Sequence, residues 1–275
     1  MKRSLILMAL ALVAALPASA QDWAKARLEK SPRHQEYVKV KHDGREVECF
    51  VVYPEVKNKA TAVVLIHEIF GLSDWVRLMA DEMAEAGYVA IVPDLLSGMA
   101  PKGGGTAELG DQNSVVKMIS MLPSEQVTAD LKAVTGYISK VPAANGKVAV
   151  AGFCWGGGQS FRFATNSEYI KAAFVFYGPP PAKEDMIRIR GPVYGFYAGN
   201  DARISATIPA TKDSMKDADK RYEPQIFEGA GHGFMRAGDA PDPGSGDKKA
   251  HDDWAANRKA RNEAWNEMKV LLKKL

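Results

Sequence analysis

Gly152-Phe153-Cys154-Trp155-Gly156-Gly157-Gly158, arriving directly after the β-branched run Val148-Ala149-Val150, narrows the folds open to this chain more than any other stretch. It reads as a strand turning sharply into a helix with a thiol at the bend, the arrangement of a G-x-S-x-G nucleophile elbow in which sulfur replaces oxygen. A bend that lifts a side chain clear of a sheet needs strained dihedrals and close strand-to-helix approach, and residues without Cβ tolerate both best. Cys154 is then expected exposed at the first turn of a helix, where backbone N–H groups favour a thiolate. The alternative is a glycine-rich turn around a buried, inert Cys, since free Cys is usually buried. An acid and a histidine later in the chain bear on that choice.

The surrounding pattern is one of strands alternating with helices. Tyr37-Val38-Lys39-Val40 and Val47 to Tyr53 alternate around His42-Asp43-Gly44, which suits a hairpin with an Asp-Gly turn. Ala62 to Ile66 is a continuous apolar run, as expected for a strand buried on both faces of a largely parallel sheet. A helix from Ser73 or Asp74 follows, with Gly87 as its stop, and Tyr88 to Val92 is the next strand. Ser97 to Gly110 reads as a loop over the strand ends. Helical spacing returns at 115–121 and from Ser124, and strands are expected at 147–151, 172–177, 193–197 and 222–227. Helices near 208–219 and 252–275 complete the alternation, and Asp22 to Arg33 is a polar lead-in with weak helical character. The expected fold is α/β: a mostly parallel, doubly wound sheet flanked by helices, in one domain over 21–275.

Residues 1–20 stand apart. Lys2-Arg3, an apolar run from Leu5 to Leu16 and Pro17-Ala18-Ser19-Ala20 form the pattern of a secretory signal peptide cleaved after Ala20. The apolar run is short for a membrane span. A soluble exported protein is expected, periplasmic if the source has two membranes. Loss of Lys2 and Arg3 leaves a formal charge of about +1, which is no footprint for nucleic acid or an anionic membrane. The expected partner is a small molecule, met by a monomer without stable membrane association. Of the two cysteines, Cys49 falls inside an extended run as a small core residue, so Cys154 is expected free.

Glu68, Cys154, Asp201 and His232 each sit just after an expected strand, on the edge where sites in such sheets lie. Nucleophile, acid, histidine is the order an elbow enzyme requires. Imidazole titrates near neutral pH, so His232 can take the thiol proton and later activate water. Asp201 would fix its tautomer, and Cys154 would attack a carbonyl carbon. The backbone N–H of Trp155 and one from the loop at Glu68-Ile69 are the obvious oxyanion donors. Asp201 can also be read as shaping a turn, and His232 as a solvated loop residue. Glu68 after a buried strand needs a partner. His67, His34, His42 and His251 look incidental, without metal-ligand spacing, and a zinc hydrolase on His67, Glu68 and His232 leaves the elbow unexplained. No cofactor or metal is expected.

These blocks resemble the dienelactone hydrolase family of α/β-hydrolases from about Tyr37 to the C-terminus. The resemblance rests on His67-Glu68-Ile69-Phe70-Gly71, Pro93-Asp94-Leu95, Gly152-Phe153-Cys154-Trp155-Gly156-Gly157, Gly199-Asn200-Asp201 and Gly231-His232-Gly233-Phe234. It implies an α/β-hydrolase fold and hydrolysis of a small ester or lactone through an acyl-thioester on Cys154, with Asp201 and His232 completing the triad. By the same resemblance Glu68 is the carboxylate that helps activate the thiol when substrate binds, and Ile69 and Trp155 supply the oxyanion amides. Arg236 matches an arginine that grips a substrate carboxylate. A second such arginine is expected after Pro-Asp-Leu, where this chain has Gly98. A non-catalytic ligand-binding relative is the alternative function. A thiol redox protein would need a resolving Cys near Cys154, and none is close in sequence.

Overall fold

The computed structural model describes residues 19–238 and 240–275. Most of the leader, and the Asp239 position, lie outside the described residues. The first two strands, β1 (Gln35–His42) and β2 (Arg45–Val52), pair antiparallel in full register across Asp43 and Gly44. Both turn residues have positive φ, 44° and 76°, the requirement of a type I′ hairpin that Asp-Gly meets. Six further strands follow: β3 (Ala60–Ile66), β4 (Val89–Pro93), β5 (Ala144–Phe153), β6 (Ile170–Phe176), β7 (Val193–Ala198) and β8 (Tyr222–Phe227). They form one sheet in the order β1-β2-β4-β3-β5-β6-β7-β8, parallel from β4 onward.

Period-two alternation assigns the strand side chains to two faces, and both are covered. Phe50, Val52, Val63 and Leu65 face α1 (Ser19–Glu29), α2 (Asp74–Glu85) and the long α8 (Lys248–Leu272). Val51, Val64, Ile66 and Val150 face α4 (Ser124–Ile138), α5 (Trp155–Ala164) and α7 (Ile208–Asp217). The central strands therefore lack the polar alternation of a half-exposed sheet, as the apolar run at 62–66 implies. A small third cluster, Leu96 with Val115 and Ile119 of α3 (Gln112–Ser120), packs against Ile69 and Trp155 above the strand ends.

The expected elements are all present, and their limits differ in ways that have local causes. The polar lead-in is a full helix, because Ala24 and Leu28 bury against the face that carries α2. The last helix starts at Lys248, where the Asp247 carboxylate accepts from the Ala250 N–H as an N-cap. A four-residue helix, α6 (Ala202–Ser205), precedes α7 and follows Asp201 directly. The loop at 97–110 is pinned: Thr106 donates through N and Oγ1 to buried Asp94 at 2.7 and 2.8 Å, and its Oγ1 accepts from Leu72 N. No helix among the described residues is long and apolar enough to cross a membrane.

Candidate active site

The elbow is built as the glycines require. Cys154 takes φ 55° and ψ −116°, a conformation that costs of order 1–3 kcal/mol and persists only where its surroundings enforce it. Those surroundings are backbone. A Cβ on Gly156 would collide with the carbonyl oxygens of Ile66 and His67, and one on Gly152 with that of Gly156. The first turn of α5 thus lies against the end of β3, while Cys154 N–H donates to Phe176 O at 3.0 Å. Strand-end residues from β3, β5, β6 and β7 converge on this point.

His232, in the loop after β8, joins the other two expected groups. Its Nε2 lies 3.1 Å from Cys154 Sγ, and its Nδ1 lies 2.5 Å from Asp201 Oδ2. Asp201 is the N-cap residue of α6, yet its side chain makes no cap hydrogen bond there, since the carboxylate is engaged by the imidazole. Tyr177, fully buried at the end of β6 with φ 40°, sets its ring edge-on to His232 at 5.0 Å and to Phe234 at 5.1 Å. Its hydroxyl donates to Glu68 Oε1 at 3.2 Å.

Glu68 is 2% exposed and answers the need for a partner twice. Besides Tyr177, Arg236 approaches with Nε 3.5 Å from Oε2, an ion pair too long for a hydrogen bond, so both atoms lack one. The Arg236 guanidinium also lies over the Phe70 ring at 5.3 Å. Arg236 is therefore committed to Glu68 rather than extended toward open space. At Gly98 no free guanidinium substitutes for the second arginine: Arg45 is nearby, but it donates to Asp130, Ser97 O and Leu95 O. The adjoining polar cleft, about 460 Å³, is lined by Lys39 with Glu46, Glu48 and Glu108 and does not reach Cys154.

The thiol differs from the expected exposed thiolate. Cys154 is half-buried, and its pKa is pushed up to about 12, first by burial and then by the Glu68 charge. The Trp155 N–H, Arg236 and Arg203 pull the other way without overcoming these. Desolvation and a like charge outweigh the helix N-terminus, so the resting group is a neutral thiol. Cys49 is fully buried in β2, as expected, and free.

Two side chains of this site were missed at the level of sequence. Tyr177 had a signal, an aromatic extending a buried strand into Gly178-Pro179. His67 also had one: an imidazole at the end of a fully buried strand needs partners for both nitrogens. It has them, from Glu68 O and Leu95 N, so neither nitrogen is open to a metal. Among the described residues no group of three or more His, Cys, Asp or Glu is arranged to hold a metal ion.

A strained Cys elbow at the end of a central parallel strand, with Asp and His in the loops after two later strands, defines an α/β-hydrolase. The dienelactone hydrolase family model matches residues 47–275, and the chain belongs to that family. A Saccharolobus solfataricus protein provisionally named a carboxymethylenebutenolidase is 28% identical over 270 residues, 85% of this chain and 96% of its own. A carboxymethylenebutenolidase homolog from Rattus norvegicus is 29% identical over 216 residues, 76% of this chain and 82% of its own. A Klebsiella pneumoniae crystal structure, provisionally named a dienelactone hydrolase, superposes with a TM-score of 0.74 at 22% identity, covering 88% and 99% of the two chains.

Proposed function

We propose that this protein hydrolyses small ester or lactone substrates of the dienelactone type, through a Cys154-His232-Asp201 triad and a covalent acyl-thioester. The observation that carries the reading is the unbroken relay at the elbow, thiol to imidazole at 3.1 Å and imidazole to carboxylate at 2.5 Å. In acylation His232 takes the thiol proton as Sγ bonds to the carbonyl carbon. The electron pair moves to the carbonyl oxygen, where the N–H groups of Ile69 and Trp155 receive it. Collapse expels the alkoxide, which takes the proton from His232. Water, deprotonated by the same ring, then cleaves the thioester. Asp201 stabilises the imidazolium in both steps.

A neutral resting thiol makes Glu68 the tunable element. A substrate carboxylate competing for Arg236 would loosen the Glu68 ion pair and free that carboxylate to assist deprotonation of the thiol. With glycine at 98, Arg236 alone supports such a grip, which favours small substrates carrying one acidic group or none. The test is acid-quench mass spectrometry with slow aryl esters and enol-lactones. A mass increase equal to the acyl group, located on Cys154 and absent in Cys154→Ala, is expected. Turnover without that adduct in Cys154→Ala at the wild-type rate overturns the reading, and no turnover at all favours the ligand-binding alternative. Export follows from the pattern of residues 1–20, and an intact mass beginning at Gln21 in the secreted fraction is the expected result.

A further inference from the structure

Two histidines stand near the nucleophile, and the mechanism above uses one. His67 is fully buried and stacks its ring on the Trp155 indole, with centroids 5.6 Å apart and planes 13° from parallel. Its Nδ1 lies 2.8 Å from Glu68 O, and its Nε2 receives the Leu95 N–H at 3.4 Å. A carbonyl oxygen can only accept and an amide can only donate, so a single tautomer satisfies both: neutral, with the proton on Nδ1. Burial lowers the pKa of the ring, in keeping with that neutral form.

We infer that His67 is a positioning residue for the oxyanion site, holding the Glu68–Ile69 peptide plane and the Trp155 side of the elbow in one rigid unit. The inference deepens the proposed ester chemistry and rests on it. Glu68 C=O and Ile69 N–H belong to the same planar, trans peptide and point in opposite directions. A donor fixed on that oxygen therefore fixes where the Ile69 N–H points. Gly71 N–H supplies a second, longer bond to the same oxygen at 3.3 Å, so the plane is held from two sides. Among the described residues the Ile69 N–H has no protein acceptor, the condition of a donor kept for a ligand. Hydrogen bonding to the carbonyl also polarises the amide and strengthens its N–H as a donor.

The ring does a second thing by stacking. Trp155 contributes the other oxyanion amide, and its indole rests on the ring that orients the first. Leu95 anchors the far side of the imidazole, tying both amides to the loop that follows β4. A histidine that looks incidental in the sequence is thus the piece through which the two halves of the oxyanion site share one support.

The test separates orientation from folding and from nucleophile strength. His67→Phe keeps an aromatic ring against Trp155 and removes both hydrogen bonds, whereas His67→Gln can donate to Glu68 O and accept from Leu95 N. With an aryl ester, His67→Phe is expected to lose about 10–100-fold in kcat with KM within about twofold, and His67→Gln to recover most of it. The binding readout is an aryl trifluoromethyl ketone against the methyl ketone of the same shape. Addition of Sγ to the fluorinated ketone gives an anionic hemithioketal, its proton passing to His232, so the preference for that ketone measures the oxyanion site. The preference should fall with kcat in His67→Phe, while alkylation of Cys154 by iodoacetamide, which forms no oxyanion, stays within about twofold. Unchanged kcat in His67→Phe, or loss of alkylation in step with kcat in both variants, overturns the inference. Wild-type protein that turns over no ester overturns the proposed function itself, a separate outcome.

Discussion

The chain carries two cysteines in contrasting settings. Cys49 sits in regular β2 geometry with no exposed surface, and its thiol donates weakly to Val47 O at 3.6 Å. Cys154 sits at a strained bend, half-buried, with an imidazole at 3.1 Å. Both thiols are pushed well above the ordinary range, and desolvation is the leading cause for each. A low resting pKa is therefore not what separates nucleophile from core residue here. The difference is a base within reach, since the Cys154 sulfur meets the His232 imidazole at 3.1 Å while the Cys49 thiol meets only a backbone carbonyl.

The contrast breaks first on activity. Cys154→Ala is expected to lower kcat/KM for an activated ester by at least about 10³-fold, while Cys49→Ala leaves it within about twofold; a shared loss would mean the two thiols are not distinct. A smaller effect sharpens the electrostatic side. Glu68 raises the Cys154 pKa, so Glu68→Gln should lower it and speed iodoacetamide alkylation at pH 7.5 by about threefold to tenfold. In wild type the thiolate fraction rises with pH toward a value near 12, so alkylation should increase about tenfold per pH unit between pH 7 and 9. A plateau in that range would show that the thiolate forms well below that value. The smallest effect concerns stability. Cys49→Ser buries a hydroxyl among apolar neighbours and should cost about 1–3 kcal/mol, read as a lowered Tm, whereas Cys154→Ser, half-buried with the His232 imidazole within hydrogen-bond reach, should cost less than about 1 kcal/mol.

Much of this site was legible because the chemistry is local in sequence. The glycines around Cys154 declare the bend, and Asp201 and His232 each follow a strand closely enough that the parallel sheet brings them to one edge. What could not be read were the consequences of through-space packing. The helix N-terminus at Trp155 suggests a thiolate, but burial of the sulfur, and after it the Glu68 charge arriving from just past β3, reverse the balance. In the sequence Arg236 matches an arginine that grips a substrate carboxylate, while the partner it holds, Glu68, is 168 positions away. His67 looks incidental in the sequence because its spacing fits no metal site, while its ring is committed to two backbone groups that no pattern of side chains reveals. Helix limits shifted where tertiary contacts decided them, as at α1, where burial of Ala24 and Leu28 gives a polar stretch a reason to coil.

The N-terminal helix carries one more implication, for anyone trimming this protein to its family-matched portion. Trp23 packs its indole against Gly238, the residue that closes the short helix bearing Arg236, so closely that a methyl group there would not fit. A fragment starting at residue 47 would lose that buttress together with β1, the edge partner of β2 along its whole length. The smallest unit that shares recognisable ancestry is thus shorter than the smallest unit that can hold its arginine steady.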